Sequence, residues 1–569
     1  MWNVLTGALQ ALPERGRAVR EAVREAPERV RTTVRLSQQS GLMWSLTGRG
    51  ILELGRVFAS GSQNPSLIFR VHAKNSPDKP AVIWRGRTTT FRELDERIDR
   101  LAGGLARAGI GRGKSIVLMM KNRQEFVELG AAAARGGAAA VSISWRSTPA
   151  ELVYLATHSG ARGIALEADL LPTLEGARAE LPPHCLANVF VVGGFAPAGA
   201  RRGEALLDGP TGAFVLDAAN DDDAAVVIYT SGTTGKPKGA VRKFPKDTMQ
   251  AAFRFMNETP MRVDDVHLVA CPLYHSTAFG FMSLSQILGA TVVIMEEFKP
   301  ERFLELVSRH GVTTTAVVPT MLQRVLDLPA ETRSRHDARS LRAVFSGGAP
   351  LPAPVALDFM DAFGDILFNF YGATETGLVT LANPRDLRAA PGTIGRAVPG
   401  NDIRLLDEEG REVEPGQVGE LFVKNKLLVA GYHKDEAATR SSMRDGFFSV
   451  GDLARRDRDG RYFIEGRKRD MVISGGVNVY PAEVESVLEQ HPEVAEVAVV
   501  GVPDREWGEK VRAFVVRRPG SSLDGGALEV FARERLARPK VPRDFVFLDA
   551  LPRNPTGKVL KRELREREP

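Results

Sequence analysis

The feature that most constrains this chain is a rhythm. From about residue 81, short apolar runs alternate with longer amphipathic ones: "AVIW", "SIVLMM" and "AAVSIS" read as strands, with helix-like stretches between them. Beyond residue 224 the rhythm resumes as "AAVVIYT", "HLVAC", "TVVIM", "TTAVV", "RAVFS" and "ILFNF". Segments such as "PERFLELVSRH" and "PAPVALDFMDAF" separate these runs, with apolar residues at helical spacing. Strands alternating with helices predict an α/β fold of two parallel, doubly wound sheets. At 569 residues the chain exceeds what one core organises, so at least two domains are expected.

The texture changes between about 393 and 466, where strand-like pieces and the Gly turns "DEEGRE" and "DRDGRY" predict hairpins or a small β-barrel. After "GRKRD" the pattern predicts a small α+β domain. It has a helix near Pro481 to Gln490, strands at "VAEVAVVGV" and "VRAFVVR", and a helix near Ala527 to Leu536.

Composition narrows the function. With 76 basic and 70 acidic residues, the net charge of +6 is spread too thinly to indicate a nucleic-acid partner. Cys185 and Cys271 lie far apart without metal-ligand spacing, which fits a reducing cytoplasm better than a disulfide framework. No uncharged apolar run reaches 18 residues, so no membrane-spanning helix is expected. The basic N-terminus, with seven Arg against four Glu between Glu14 and Arg35, could lie on the inner membrane face as a peripheral contact.

Chemistry concentrates in a few loops. "YTSGTTGKPKG", Tyr229 to Gly239, follows a β-branched apolar run and offers a phosphate close backbone approach, hydroxyl donors and two lysines. Pro237 after Gly235-Lys236 excludes a Walker A loop. "SGGAP" follows "RAVFS" and permits close approach of a flat ring, while "YGATETG" places Thr374 and Glu375 at the carboxyl edge of a sheet, where ligands bind. A carboxylate there suits Mg²⁺ held jointly with substrate phosphates. Asp452 in "GDLA" and Arg467 in "GRKRD" could take ribose hydroxyls and a neighbouring oxygen.

In order, "YTSGTTGKPKG", "PLYHS", "SGGAP", "YGATETG", "GDLA", "GRKRDMVISGGVNVYPAEVE" and "PTGKVLKREL" resemble the signature blocks of the adenylate-forming superfamily, over roughly residues 66 to 565. Among its branches the sequence looks most like the acyl-CoA synthetases. The resemblance implies three segments: an N-terminal extension (1–65), a large adenylation domain (66–467) and a small mobile domain (468–569) hinged near Arg469. It also implies two half-reactions, with ATP, Mg²⁺ and coenzyme A. A carboxylate attacks the α-phosphate of ATP to give acyl-AMP and pyrophosphate, and a thiol then displaces AMP.

By position, the resemblance gives the triphosphate to Thr230, Ser231, Gly232, Thr233, Thr234, Gly235, Lys236 and Lys238, and the adenine to Gly347, Gly348, Ala349 and Pro350. Tyr371 and Gly372 join the nucleotide set. Thr374 would touch phosphates, Glu375 the Mg²⁺, Asp452 and Arg467 the ribose, and Lys558 the reacting oxygens. Gly475 and Gly476 would flank the thiol arm. "PLYHSTAFGF" would put His275, Ala278, Phe279 and Gly280 along the acyl pocket, and Gly372, where acetyl-specific relatives have Trp, would leave that pocket open. The expected substrate is a medium- or long-chain fatty acid, with an aryl acid or transfer to a carrier protein as alternatives. Both a monomer and a homodimer are compatible with the sequence.

Overall fold

The computed structural model describes residues 28–60, 64–208, 224–230, 238–243, 248–428, 436–474, 477–505, 507–553 and 559–567. Two large sheets carry the first three quarters of the chain. The nine-stranded sheet runs Arg396–Ala397, Gly377–Ala382, Leu367–Ala373, Ala343–Ser346, Thr314–Val317, Val266–Val269, Thr291–Ile294, Pro80–Trp84 and Arg87–Thr90. The seven-stranded sheet runs Arg201–Arg202, Val189–Val192, Gly163–Glu167, Ser115–Met119, Ala139–Ile143, Ala224–Thr230 and Lys238–Lys243. The centres of both sheets are parallel, as the alternation predicts. Their margins are mixed: Arg201–Arg202 stays parallel, but Arg87–Thr90, Gly377–Ala382, Arg396–Ala397 and Lys238–Lys243 pair antiparallel, three of them returning directly through hairpins rather than through crossover helices.

Side-chain alternation along each strand decides the layering. Ile116 and Leu118 face inward with Val269, Val292 and Ile294 of the other sheet, enclosing the helices Phe91–Arg107 and Gln124–Arg135 in one shared core. Val117 and Met119 point the other way, beneath helix Pro149–Ser159. Leu268 and Val293 likewise pack under Pro300–His310 and Ala353–Phe363. The buried helix starts where Thr90 accepts from Glu93 N and Glu93 answers at Thr90 N, a reciprocal cap that fixes its first turn.

A third, antiparallel sheet comprises Asp402–Leu406, Val418–Lys424, Met443–Arg444, Phe447–Phe448, Asp452–Arg456 and Tyr462–Arg467. The expected barrel is not formed among the described residues. Val418–Lys424 takes Asp402–Leu406 on one side and shares the other between Phe447–Phe448 and Asp452–Arg456, so the outer strands never meet. The C-terminal part is α+β as expected, a long Val494–Asp504/Gly508–Arg517 hairpin covered by helices Pro481–Leu488 and Gly525–Arg533.

Residues 28–60 are strapped to the large domain. Leu36 is buried among Phe255, Phe281 and Phe345, Asn257 Nδ2 donates to Thr32 O (3.0 Å), and Thr47 N donates to Asn75 Oδ1 (2.8 Å). Of the basic stretch expected at a membrane, residues 28–35 therefore dock one face on the protein, while 14–27 lie outside the described residues. Among the described residues no helix is long and apolar enough to cross a membrane.

Candidate active site

All parallel strands of the nine-stranded sheet end on one edge, where Gly347, Gly348, Thr374 and Glu375 lie. "RAVFS" ends at Ser346, and Gly347 turns away so close to Phe370 that a Cβ would stand 2.5 Å from its ring. Gly348 follows with φ +78°, a left-handed conformation that glycine adopts without strain. A Cβ on it would stand 3.6 Å from Thr277 Oγ1 and 3.8 Å from Val318, ordinary contact distances, so the two glycines form a shelf of bare backbone beside these side chains.

Beside the shelf, the strand Leu367–Ala373 does not lead into a helix. It turns tightly through Thr374–Thr376 and returns as Gly377–Ala382. Ala373 N donates to Thr376 Oγ1 (3.1 Å), and Thr374 Oγ1 donates to Ser276 Oγ (3.3 Å), tying the hairpin tip to the start of helix Ser276–Leu288. Glu375 sits at this tip, only 7 % exposed. Its carboxylate is placed by a hairpin and owes nothing to a helix dipole. The expectation for Gly372 needs correction: a Cβ there would stand 2.0 Å from Gly377 O, so a side chain would strike its own hairpin instead of filling a pocket.

Asp452 and Arg467 are cross-strand partners in the third sheet, and their side chains meet at 3.2 Å through Arg467 Nε. The other Asp452 oxygen accepts from the Tyr371 hydroxyl at 2.7 Å. Burial first, and then the Asp452 charge, push the Tyr371 hydroxyl well above the usual phenol range, so it stays a donor. Asp452 is thus held from two sides, with lone pairs left for two adjacent hydroxyls. Sequence reasoning named all three residues and missed the Tyr371–Asp452 bond; no signal connects positions so far apart.

His275 caps helix Ser276–Leu288 by position only, without a side-chain capping bond, and tilts against Tyr274 with ring centroids 4.1 Å apart. The buried Tyr274 reaches across to Ser144, at the end of a strand of the other sheet. Asn122, unforeseen in the sequence, clasps the same seam: it donates to Cys271 O and Met295 O (both 2.9 Å) and accepts from Leu273 N (2.7 Å). Along the helix, Ala278 is buried in the shared core and Phe279 packs at its margin, while a Cβ on Gly280 would meet nothing within 4 Å.

The glycine-rich loop joins two antiparallel strands, with Thr230 opposite Lys238, at the carboxyl end of Ala224–Thr230. Ser231, Gly232, Thr233, Thr234, Gly235 and Lys236 lie outside the described residues, as do Gly475, Gly476 and Lys558. Around Arg469 the flanking charges diverge. Lys468 Nζ binds Glu420 Oε2 (2.9 Å) in the third sheet, whereas Asp470 Oδ1 accepts from Arg565 Nη2 (2.8 Å) in the last helix. Burial and the neighbouring Arg467 lower the pKa of Arg469.

Comparison with known proteins decides the family. Residues 69–433 match the model of the AMP-binding enzymes, and 483–558 match that of the AMP-binding enzyme C-terminal domain. The chain belongs to the AMP-binding enzyme family. Over 503 residues this AMP-binding enzyme is 34% identical to a fatty acid–[acyl-carrier-protein] ligase, ScoC, of Streptomyces coeruleorubidus, covering 87% of this chain and 95% of that one. A feruloyl-CoA synthase of an Amycolatopsis species is 37% identical over 508 residues, covering 87% and 97%. Among solved structures, ATP-bound MatB from Rhodopseudomonas palustris superposes with a TM-score of 0.79 at 31% identity, covering 89% and 98%. The protein is an AMP-forming acid–thiol ligase.

Proposed function

We propose that this enzyme is a fatty acyl-CoA synthetase that activates a medium- or long-chain acid to acyl-AMP and passes the acyl group to coenzyme A. The observation carrying the nucleotide half is Asp452, held by both Tyr371 and Arg467, together with the bare backbone of Gly347 and Gly348 at the end of the strand next to that of Tyr371. The shelf would take adenine, Asp452 and Arg467 the ribose, Thr374 the phosphates, and the glycine-rich loop the departing pyrophosphate. Glu375, a lone carboxylate at a hairpin tip, fits Mg²⁺ in its usual mode of one protein carboxylate plus phosphates; bound there the ion would neutralise phosphate charge. No group of three potential ligands forms a protein-only cage among the described residues. A carboxylate meeting a polyphosphate gathers negative charge, and Lys558 would offset it at the reacting oxygens.

The open space beside Gly280, bordered by Phe279, supports an extended acyl tail, as does the likeness to a fatty-acid ligase. An aryl acid is the second reading, favoured by the likeness to feruloyl-CoA synthase. A domain boundary near 468 is supported by the anchors of Lys468 and Asp470 on different elements, with Arg469 between them as hinge. Rotation there would bring Ser474 to Asn478 towards the site. Ile473 and Val477, apolar and exposed on that hairpin, fit a face covered only after rotation. The test is to incubate the protein with ATP, Mg²⁺ and acids from acetate to oleate plus ferulate, offering coenzyme A or acyl carrier protein, and to follow AMP and thioester. Oleoyl-CoA or decanoyl-CoA is the expected product. Exclusive use of ferulate, or of the carrier protein, would overturn the proposal.

A further inference from the structure

Outside both family matches, helix Gly48–Ser60 is built inside out. A surface helix ordinarily buries its apolar stripe and shows its charges. This one turns its sole carboxylate inward: Glu53 is 8% exposed and pairs with Arg56 at 3.3 Å, while Ile51 and Leu52 are 57% and 58% exposed. Just before it, the short helix Leu42–Ser45 leaves Met43 exposed and Trp44 82% exposed. The outward face of the longer helix carries Arg49 and Arg56 beside Ile51 and Leu52, with no acid among them.

This orientation is fixed by packing. Gly50 lies so near Asn75 that a Cβ would stand 2.2 Å from its Oδ1, and the same oxygen accepts from Thr47 N at 2.8 Å. The helix cannot roll its Ile51–Leu52 side underneath without breaking that contact.

We propose that the face formed by Met43, Trp44, Arg49, Ile51, Leu52 and Arg56 docks on the headgroup layer of an anionic membrane. An indole and branched aliphatic chains flanked by arginines match the two halves of such a layer, acyl boundary and phosphate. The charge on the face selects lipid over a second copy. A second copy of the face would bring only further arginine, its one carboxylate being turned in and paired with Arg56. An anionic leaflet instead supplies the counter-charge that Arg49 does not find among the described residues.

The full chain is floated with vesicles of phosphatidylcholine alone and of phosphatidylcholine with phosphatidylglycerol. Binding is expected to the anionic vesicles and to weaken with salt. Combining Trp44→Ser, Ile51→Ser and Leu52→Ser should lower partitioning by about tenfold or more, with the thermal midpoint and the catalytic rate on soluble acids unchanged. Arg49→Gln should reduce the preference for anionic over neutral vesicles. Three results would each overturn the proposal: no binding by the full chain, equal binding by the triple variant, or a dimer in light scattering that the triple variant dissociates.

Discussion

Replacing Tyr371 by Phe removes the hydroxyl that Asp452 accepts at 2.7 Å and leaves the ring in place. Asp452 then keeps Arg467 but loses one of the two bonds that orient it. A hydrogen bond to a charged group contributes about 1.5–3 kcal/mol net, which corresponds to about 10- to 150-fold in an equilibrium constant. If Asp452 is the ribose acceptor, its loosened orientation weakens ATP binding, so KM for ATP should rise by up to this factor while KM for the acid stays put. Initial rates of pyrophosphate release, with ATP varied at saturating acid and the reverse, separate the two. Because the phenol is held protonated, the Phe variant should keep the parent's pH profile between pH 6 and 9. A KM for ATP within about twofold of the parent, together with a lower thermal midpoint, would refute the reasoning and make the bond purely structural.

Gly280→Phe fills the open space on helix Ser276–Leu288 and should shift preference from oleate towards short acids, at about 0.8 kcal/mol per excluded methylene, while Gly372→Ala, forced against Gly377, should cost stability in a melting curve without changing chain-length preference. Lys558→Ala should slow adenylation by about 10²–10³-fold and leave thioester formation from supplied acyl-AMP nearly intact, measured as two separate half-reactions; equal losses would contradict the proposed role. His72 and His267 are buried as neutral rings with pKa values lowered by desolvation to about 4 and about 3. The unfolded chain therefore binds protons first, so the stability they contribute is present above about pH 6.5 and lost as pH falls through 4. The thermal midpoint should drop steeply across that window, and His72→Gln should flatten the drop.

The parallel centres of both sheets were legible because apolar period and length agree in each element: "PERFLELVSRH" is a helix end to end, and "AAVVIYT" a strand end to end. What stayed hidden depends on pairing between distant segments. Nothing local says that "GLVTLA" returns antiparallel beside "LFNFYGA", or that six short strands stop short of a barrel. At the candidate site, residue types in order pointed to Thr374, Glu375, Asp452 and Arg467. The bond that fixes Asp452 comes from Tyr371 on another sheet, and the crowding at Gly372 from the carbonyl of Gly377, both set by tertiary approach. The inverted helix was overlooked for a different reason: its composition is ordinary, and only docking reveals which side faces out.

One consequence of the sheet order concerns the ribosome. Strand Pro80–Trp84 joins Thr291–Ile294, yet every strand of the seven-stranded sheet is made in the interval between them. Synthesis at about 5–20 residues per second leaves the early hairpin without its sheet for roughly 10–40 seconds. During that wait Val82 and Ile83 have no strand on their open side, while the intervening sheet can close on itself as soon as Lys243 emerges. Of the two large sheets, the first begun is thus the last finished. A nascent chain halted shortly before residue 291 should be the species most dependent on chaperones, and the large domain should become protease-resistant only after Ile294 clears the exit tunnel.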